Sequence, residues 1–281
     1  MSQFLSIRPK PQDFTSAAPP SPAGAPSPPD ATPLALQEIP TEEVHIHSGT
    51  RIALYTDPRG LAADRFRFLR LRLRERADGA TLKRILVTSP LPQDGKSTVA
   101  LNLATALAER GKRNVLLLEA DLYHATIAET LGIPARAGLA ECLEAGLDPM
   151  SALRRLEPLG WYFLPGGNPQ GNPTELLQSD QLPSVLGVLS RHFDWVVIDS
   201  APVIPVTDAV SLARHADGTL LVVRAGRTPH QAVTASCKLL DPKHIIAIIL
   251  NGVDGLDRVY SKYYGRYGGA TATGYGRSVE E

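Results

Sequence analysis

The segment Ser89-Pro-Leu-Pro-Gln-Asp-Gly-Lys-Ser-Thr98 lies between the apolar run Arg84 to Thr88 and a helix-like stretch from Val99. A strand, a phosphate loop and a helix in that order make a nucleotide site. Backbone N–H groups of such a loop converge on the α- and β-phosphates, Lys96 reaches the β/γ oxygens, and the Ser97 hydroxyl joins a Mg2+ shell. Gly95 lets the backbone come that close. The cradle comprises Gln93, Asp94, Gly95, Lys96, Ser97 and Thr98. The strict spacing Gly-x-x-x-x-Gly-Lys-Ser/Thr fails only at its first position, where Pro90 stands.

Carboxylates follow two other apolar runs. Leu116-Leu-Leu-Glu-Ala-Asp121 ends in Glu119 and Asp121, and Val196-Val-Ile-Asp199 ends in Asp199. A Mg2+–nucleotide site needs such acids, because Mg2+ takes hard oxygen ligands. A single Asp there could equally cap the next helix; three beside one phosphate loop favour the nucleotide reading.

The elements that must position these groups alternate. Strands are expected at 84–89, 113–119, 161–164, 194–199, 218–224 and 244–250. Helices are expected near 97–110, 124–132, 138–144, 173–191 with a break at Pro183, 206–214 and 229–240. Strands apolar throughout are buried on both faces, so the fold class is α/β, a P-loop NTPase with a mainly parallel sheet flanked by helices on both faces. Ligands of such sheets sit beyond the carboxyl ends of the strands.

The flanks differ from this core. Residues 1–45 read as a disordered Pro-rich tether, with 10 of the 24 prolines before position 41. Residues 46–255 form the P-loop domain, which includes an Arg-rich helix over 60–76. Residues 256–281 form a flexible tail holding Tyr260, Tyr263, Tyr264, Tyr267 and Tyr275, five of the eight tyrosines.

Composition narrows the class further. The 281 residues are 43% apolar and carry no net charge, so neither a small scaffold nor a nucleic-acid partner is indicated. Cys142 and Cys237 lack any metal or disulfide spacing and read as reduced structural thiols. Without a signal-peptide pattern or a run of about 20 apolar residues, the expected location is cytoplasmic, with membrane contact only through a partner.

Together these residues resemble the bacterial tyrosine kinases, or BY-kinases, of the CapB/CpsD type that accompany capsule and exopolysaccharide export. The resemblance rests on the loop Ser89 to Thr98, the acids Glu119 and Asp121, and the motif Val196 to Val203. Leu164-Pro-Gly-Gly, Asn172-Pro-Thr-Glu-Leu-Leu, Val206-Thr-Asp-Ala and the Tyr-rich tail extend it. The related ParA/MinD-type ATPases carry a lysine where this chain has Leu91, which disfavours a partitioning ATPase.

The resemblance implies ATP and Mg2+ as cofactors and tail autophosphorylation in trans. Lys96 would hold the β/γ phosphates, while Ser97, Asp121 and Asp199 face the metal. Glu119 and Asp121 would orient or deprotonate the incoming phenol, whose pKa of about 10 calls for a nearby acceptor. Asn251 resembles an adenine-contacting Asn, although it reads as well as a strand-end turn residue. Asp64, Arg67 and Arg70 resemble a Glu-x-x-Arg-x-x-Arg motif at contacts in a homo-oligomeric ring. A transmembrane activator, or polysaccharide co-polymerase, is implied as a partner. Two departures stand out: Glu119 replaces an Asp, and Tyr123 replaces an Arg of the family's Asp-x-Asp-x-Arg. They leave open a catalytically weak ATP-binding assembly module.

Overall fold

The computed structural model describes residues 36–77 and 82–253. The proline-rich stretch 1–35 and all five tail tyrosines lie outside the described residues.

In chain order the elements are β1 (Thr41–Glu43), α1 (Ala53–Thr56), α2 (Leu61–Ala77), β2 (Arg84–Thr88), α3 (Lys96–Ala108), β3 (Val115–Ala120), α4 (Ile127–Leu131) and α5 (Leu139–Glu144). They continue with β4 (Arg154–Glu157), β5 (Trp161–Leu164), α6 (Pro173–Leu177), α7 (Gln181–His192), β6 (Trp195–Ser200), α8 (Asp208–Ala213), β7 (Gly218–Arg224), α9 (His230–Leu239) and β8 (Ile245–Asn251). Eight strands form one sheet in the order β1-β4-β5-β3-β6-β2-β7-β8. From β5 to β8 every neighbouring pair is parallel, whereas β4 runs antiparallel to β5.

Alternation along the central strands builds a core on each face. Leu86, Leu116, Leu118, Val196 and Ile198 pack with Leu139, Leu186 and Leu212 from α5, α7 and α8. The intervening Ile85, Val87, Leu117 and Val197 meet Leu103 and Leu107 of α3, with Leu73 of α2 outside them. Every residue of β3 and β6 is buried, as the unbroken apolar runs require. Asp217 fastens the centre of the sheet: its carboxylate accepts from the Lys83 and Arg84 amides at 2.9 and 2.7 Å and from the Arg84 guanidinium at 2.9 Å. Both cysteines are free thiols.

The six expected strands are present. β1 and β4 are additional: β1 is the edge strand and β4 lies between it and β5, and their short polar sequences Thr-Glu-Glu and Arg-Arg-Leu-Glu, joined through backbone pairing, carry almost no apolar signal. β1 falls within 1–45, so the last part of that stretch is a strand of the sheet rather than tether. The helix expected over 173–191 is two helices, and the interruption falls at 178–180 rather than at Pro183. Pro183 is the third residue of α7, where an N–H would have no intrahelical acceptor, so proline costs little there.

Candidate nucleotide and phosphoryl-transfer site

β2 lies between β6 and β7, so the loop leaving it opens at the carboxyl edge of the sheet. Gln93 at φ 65° and Gly95 at φ 99° turn the chain sharply before α3 starts at Lys96. Side chains staple this loop in place. The buried Asp94 accepts from the Leu91 amide at 3.1 Å and from the Thr228 hydroxyl at 2.7 Å. Asn251, at the end of β8, donates its amide to the Asp94 carbonyl at 2.9 Å. At φ 99° residue 95 sits in the left-handed region that favours glycine, and a Cβ there would stand 2.0 Å from Asn251 Nδ2 and push that side chain off the Asp94 carbonyl.

The expected acids converge on the loop. Lys96 Nζ lies 2.8 Å from Asp121 Oδ2, with the side chains only 14% and 2% exposed. Lys96 also donates to the Ser97 hydroxyl at 3.2 Å. Burial works against the ammonium, but Asp199 and Asp121 more than compensate and hold its pKa above the usual lysine value. In sheet register Asp199 stands opposite both Val87 and Glu119. Burial pushes Asp199 up to about 6, with Lys96 and the Ser97 hydroxyl pulling the other way. Its Oδ1 is buried without a hydrogen-bond partner.

That orphaned oxygen, beside a lysine and a serine hydroxyl, fits a hydrated Mg2+ carried in on nucleotide phosphates. Among the described residues no cluster of three His, Cys, Asp or Glu side chains could hold a metal. Mg2+ rarely needs such a cage, because phosphate and water supply most of its ligands.

Glu119 is differently engaged. Its Oε1 accepts from the Ile127 amide at 2.8 Å and its Oε2 from the Gly166 amide at 3.1 Å. The carboxylate therefore ties the end of β3 to the start of α4 and to the Pro165-Gly166 loop. Burial drives its pKa to about 7 even though these amides favour the charged form. Asp121, by contrast, receives one weaker bond, from the His124 amide at 3.2 Å, besides Lys96.

Sequence reasoning assigned no role to a polar relay at the rim. Tyr123, 45% exposed, has its hydroxyl 3.1 Å from the Thr174 hydroxyl, which donates to Asp208 Oδ1 at 2.7 Å. The other oxygen of Asp208 is buried and unpartnered, and burial raises its pKa. Asn172-Pro-Thr and Val206-Thr-Asp were visible as motifs, but nothing in their spacing joins residues 34 positions apart. Asp64, Arg67 and Arg70 lie on α2. Arg67 bonds Asp64 and the Pro58 carbonyl, each at 2.7 Å, and Arg70 reaches the Ala106 carbonyl at 3.3 Å.

No protein-family model matches the chain. Individual proteins do. It is 31% identical over 217 residues to the Bacillus subtilis tyrosine-protein kinase YwqD, covering 76% of this chain and 89% of that protein. It is 33% identical over 203 residues to the Rhizobium meliloti succinoglycan biosynthesis transport protein ExoP, covering 70% of this chain but 26% of that longer protein. Among solved structures, the kinase domain of the Escherichia coli tyrosine kinase ETK superposes with a TM-score of 0.69 at 25% identity, covering 87% of this chain and 89% of that one. The septum site-determining protein MinD from Pyrococcus horikoshii, complexed with Mg-ADP, shares the fold at a TM-score of 0.52 and 24% identity, covering 60% and 70% of the two chains.

Proposed function

The chain belongs to the bacterial tyrosine kinases, and we propose that it is an ATP-dependent protein-tyrosine autokinase that phosphorylates its own tail in trans within an exopolysaccharide or capsule system. The observation that carries this reading is the Lys96–Asp121 ion pair beside the unpartnered Asp199 oxygen, at the mouth of a phosphate loop.

Phosphoryl transfer asks for positioning and charge neutralisation. Loop amides from Gln93 to Thr98 cradle the phosphates, and Lys96 exchanges Asp121 for the β/γ oxygens. Ser97, Asp121 and Asp199 would hold a Mg2+ ion, which would supply charge neutralisation on the transferring group. Once released by Lys96, Asp121 is free to accept the phenolic proton, since its other bond is a single amide contact from His124 at 3.2 Å. Glu119 supports the reaction by holding the loop at Gly166 and the start of α4, since both of its oxygens are occupied by amides. Asn251 serves both readings, fixing the loop through Asp94 and lying where β8 ends beside it.

In trans delivery needs a second copy, and Asp64, Arg67 and Arg70 on α2 are the proposed ring contact. Tyr260, Tyr263, Tyr264, Tyr267 and Tyr275 are the proposed acceptors. Among the described residues no helix is long and apolar enough to cross a membrane. The likeness to a succinoglycan biosynthesis transport protein supports a membrane-spanning activator as the proposed partner. Peptide mass spectrometry after incubation with Mg-ATP tests the reading. Phosphate is expected on the tail tyrosines and not in Lys96→Met, and a tail that stays unmodified with activator present would leave a nucleotide-controlled assembly module instead.

A further inference from the structure

The end of α3 remote from the phosphate loop borders a second charged cavity. Its volume is about 380 Å3, and its walls include Tyr55, Pro58, Arg67, Arg70, Arg110 and Lys112. α3 has 13 residues, so this cavity lies about 20 Å along the helix from the nucleotide site.

Four cations line it and one acid, Glu109, which is already paired with Arg74 at 2.8 Å. Arg67 has Asp64, and Arg70 has the Ala106 carbonyl. Among the described residues Arg110 and Lys112 have neither a hydrogen bond nor an ion pair, and both are exposed. The backbone that presents them is strained. Glu109, Arg110 and Gly111 take successive φ values of 50°, 60° and 81°, and for the two non-glycine residues a left-handed conformation costs about 1–2 kcal/mol each. Gly160 packs close beneath, where a Cβ would stand 2.6 Å from the Gly111 amide. Ending α3 this way sets Arg110 close enough for its charge to act on the Tyr55 phenol.

Guanidinium and ammonium groups around an aromatic and apolar wall suit a phosphate dianion carried on a ring. We propose that this cavity binds a phosphotyrosine of the protein's own tail. The inference rests on the autokinase reading, which makes phosphotyrosine the chain's product. Charge favours that occupant only after phosphorylation. Residues 258–266 contain Arg258, Lys262 and Arg266 and no acid, so this unmodified segment around Tyr260, Tyr263 and Tyr264 is repelled by the pocket, whereas each phosphate adds about −1.5 to −2 charge. Arg67 and Arg70 belong both to this pocket and to the proposed ring contact. Phosphotyrosine in the pocket therefore competes with ring assembly, which gives phosphorylation a direct route to disassembly.

The test uses the full-length protein without nucleotide or Mg2+, and a fluorescent synthetic peptide of residues 256–270 phosphorylated on Tyr263. The phosphopeptide is expected to bind at least tenfold more tightly than its unmodified form. Arg110→Ala/Lys112→Ala should weaken it at least tenfold; a loss of the same size in Lys96→Met with none in the double variant would put the phosphate at the phosphate loop and overturn the proposal. Equal binding of the two peptides, or full affinity in the double variant, would overturn the proposal. Displacement by inorganic phosphate at the phosphopeptide's own affinity would also overturn it, showing a free-phosphate site. Because the peptide arrives phosphorylated, this result is independent of whether the chain is a kinase; the mass shift with Mg-ATP reads that separately.

Discussion

Lys96 and Asp121 are joined across the mouth of the phosphate loop, Nζ to Oδ2 at 2.8 Å, so the lysine proposed to hold the phosphates is paired with the proposed base. Nucleotide phosphates would compete for Lys96 and release Asp121. Asp121→Asn is thus expected to slow tail phosphorylation about 10²- to 10⁴-fold, the range for loss of a general base. Nucleotide affinity should change far less. Quenched-flow phosphotransfer and fluorescent-nucleotide titration on the same variant separate the two.

Asp199 and Glu119 carry pKa values raised to about 6 and about 7, chiefly by burial. The folded state then binds more protons than the unfolded state, so their contribution to stability is complete below the unfolded carboxylate values near 4 and is lost as pH rises through 6 to 7. The nucleotide-free protein should have a lower urea midpoint at pH 8 than at pH 5, and Glu119→Gln should flatten that slope. Mg2+ binding runs the opposite way, strengthening as pH rises through about 6, because the cation needs ionised Asp199.

Asp217 behaves in the conventional direction. Burial raises its pKa, but the Arg84 guanidinium and the Arg84 and Lys83 amides outweigh it and hold it below the usual value. Its contribution is present above about 3.8 and lost as pH falls through the depressed value. Asp217→Asn should cost about 1–3 kcal/mol at neutral pH, the range for leaving buried partners unsatisfied. The difference from wild type should shrink in acid, as read by urea denaturation.

Gly95→Ala should weaken nucleotide binding, since φ is 99° and its Cβ would displace Asn251 Nδ2, 2.0 Å away, from the Asp94 carbonyl that it holds. The left-handed conformation alone costs about 1–2 kcal/mol, or about 2–8 °C in melting temperature for a domain of this size. Differential scanning calorimetry and nucleotide titration check both parts.

The central strands and the phosphate loop were legible because burial on both faces writes an unbroken apolar run, and because phosphate binding demands Gly95 and Lys96 at fixed spacing. β1 and β4 were illegible, since strands of three and four mostly polar residues that pair through their backbones leave no apolar run to read. Asp199 was legible from its place at a strand end. Asp208 was not, because its relation to Thr174 and Tyr123 exists only once α6 and α8 meet. Glu119 shows a different limit: its position was readable, whereas the two amides that occupy it come from residues 8 and 47 positions away.

The most direct measurement mixes two forms of the protein with Mg-ATP: a tailless form truncated after Val253, and full-length Lys96→Met. Mass spectrometry should find phosphate on the tail tyrosines of the Lys96→Met chain, delivered by the intact site of its tailless partner. A tail that stays unmodified in the mixture, while the wild-type protein modifies its own, would contradict transfer between copies; no modification in either would contradict the kinase itself.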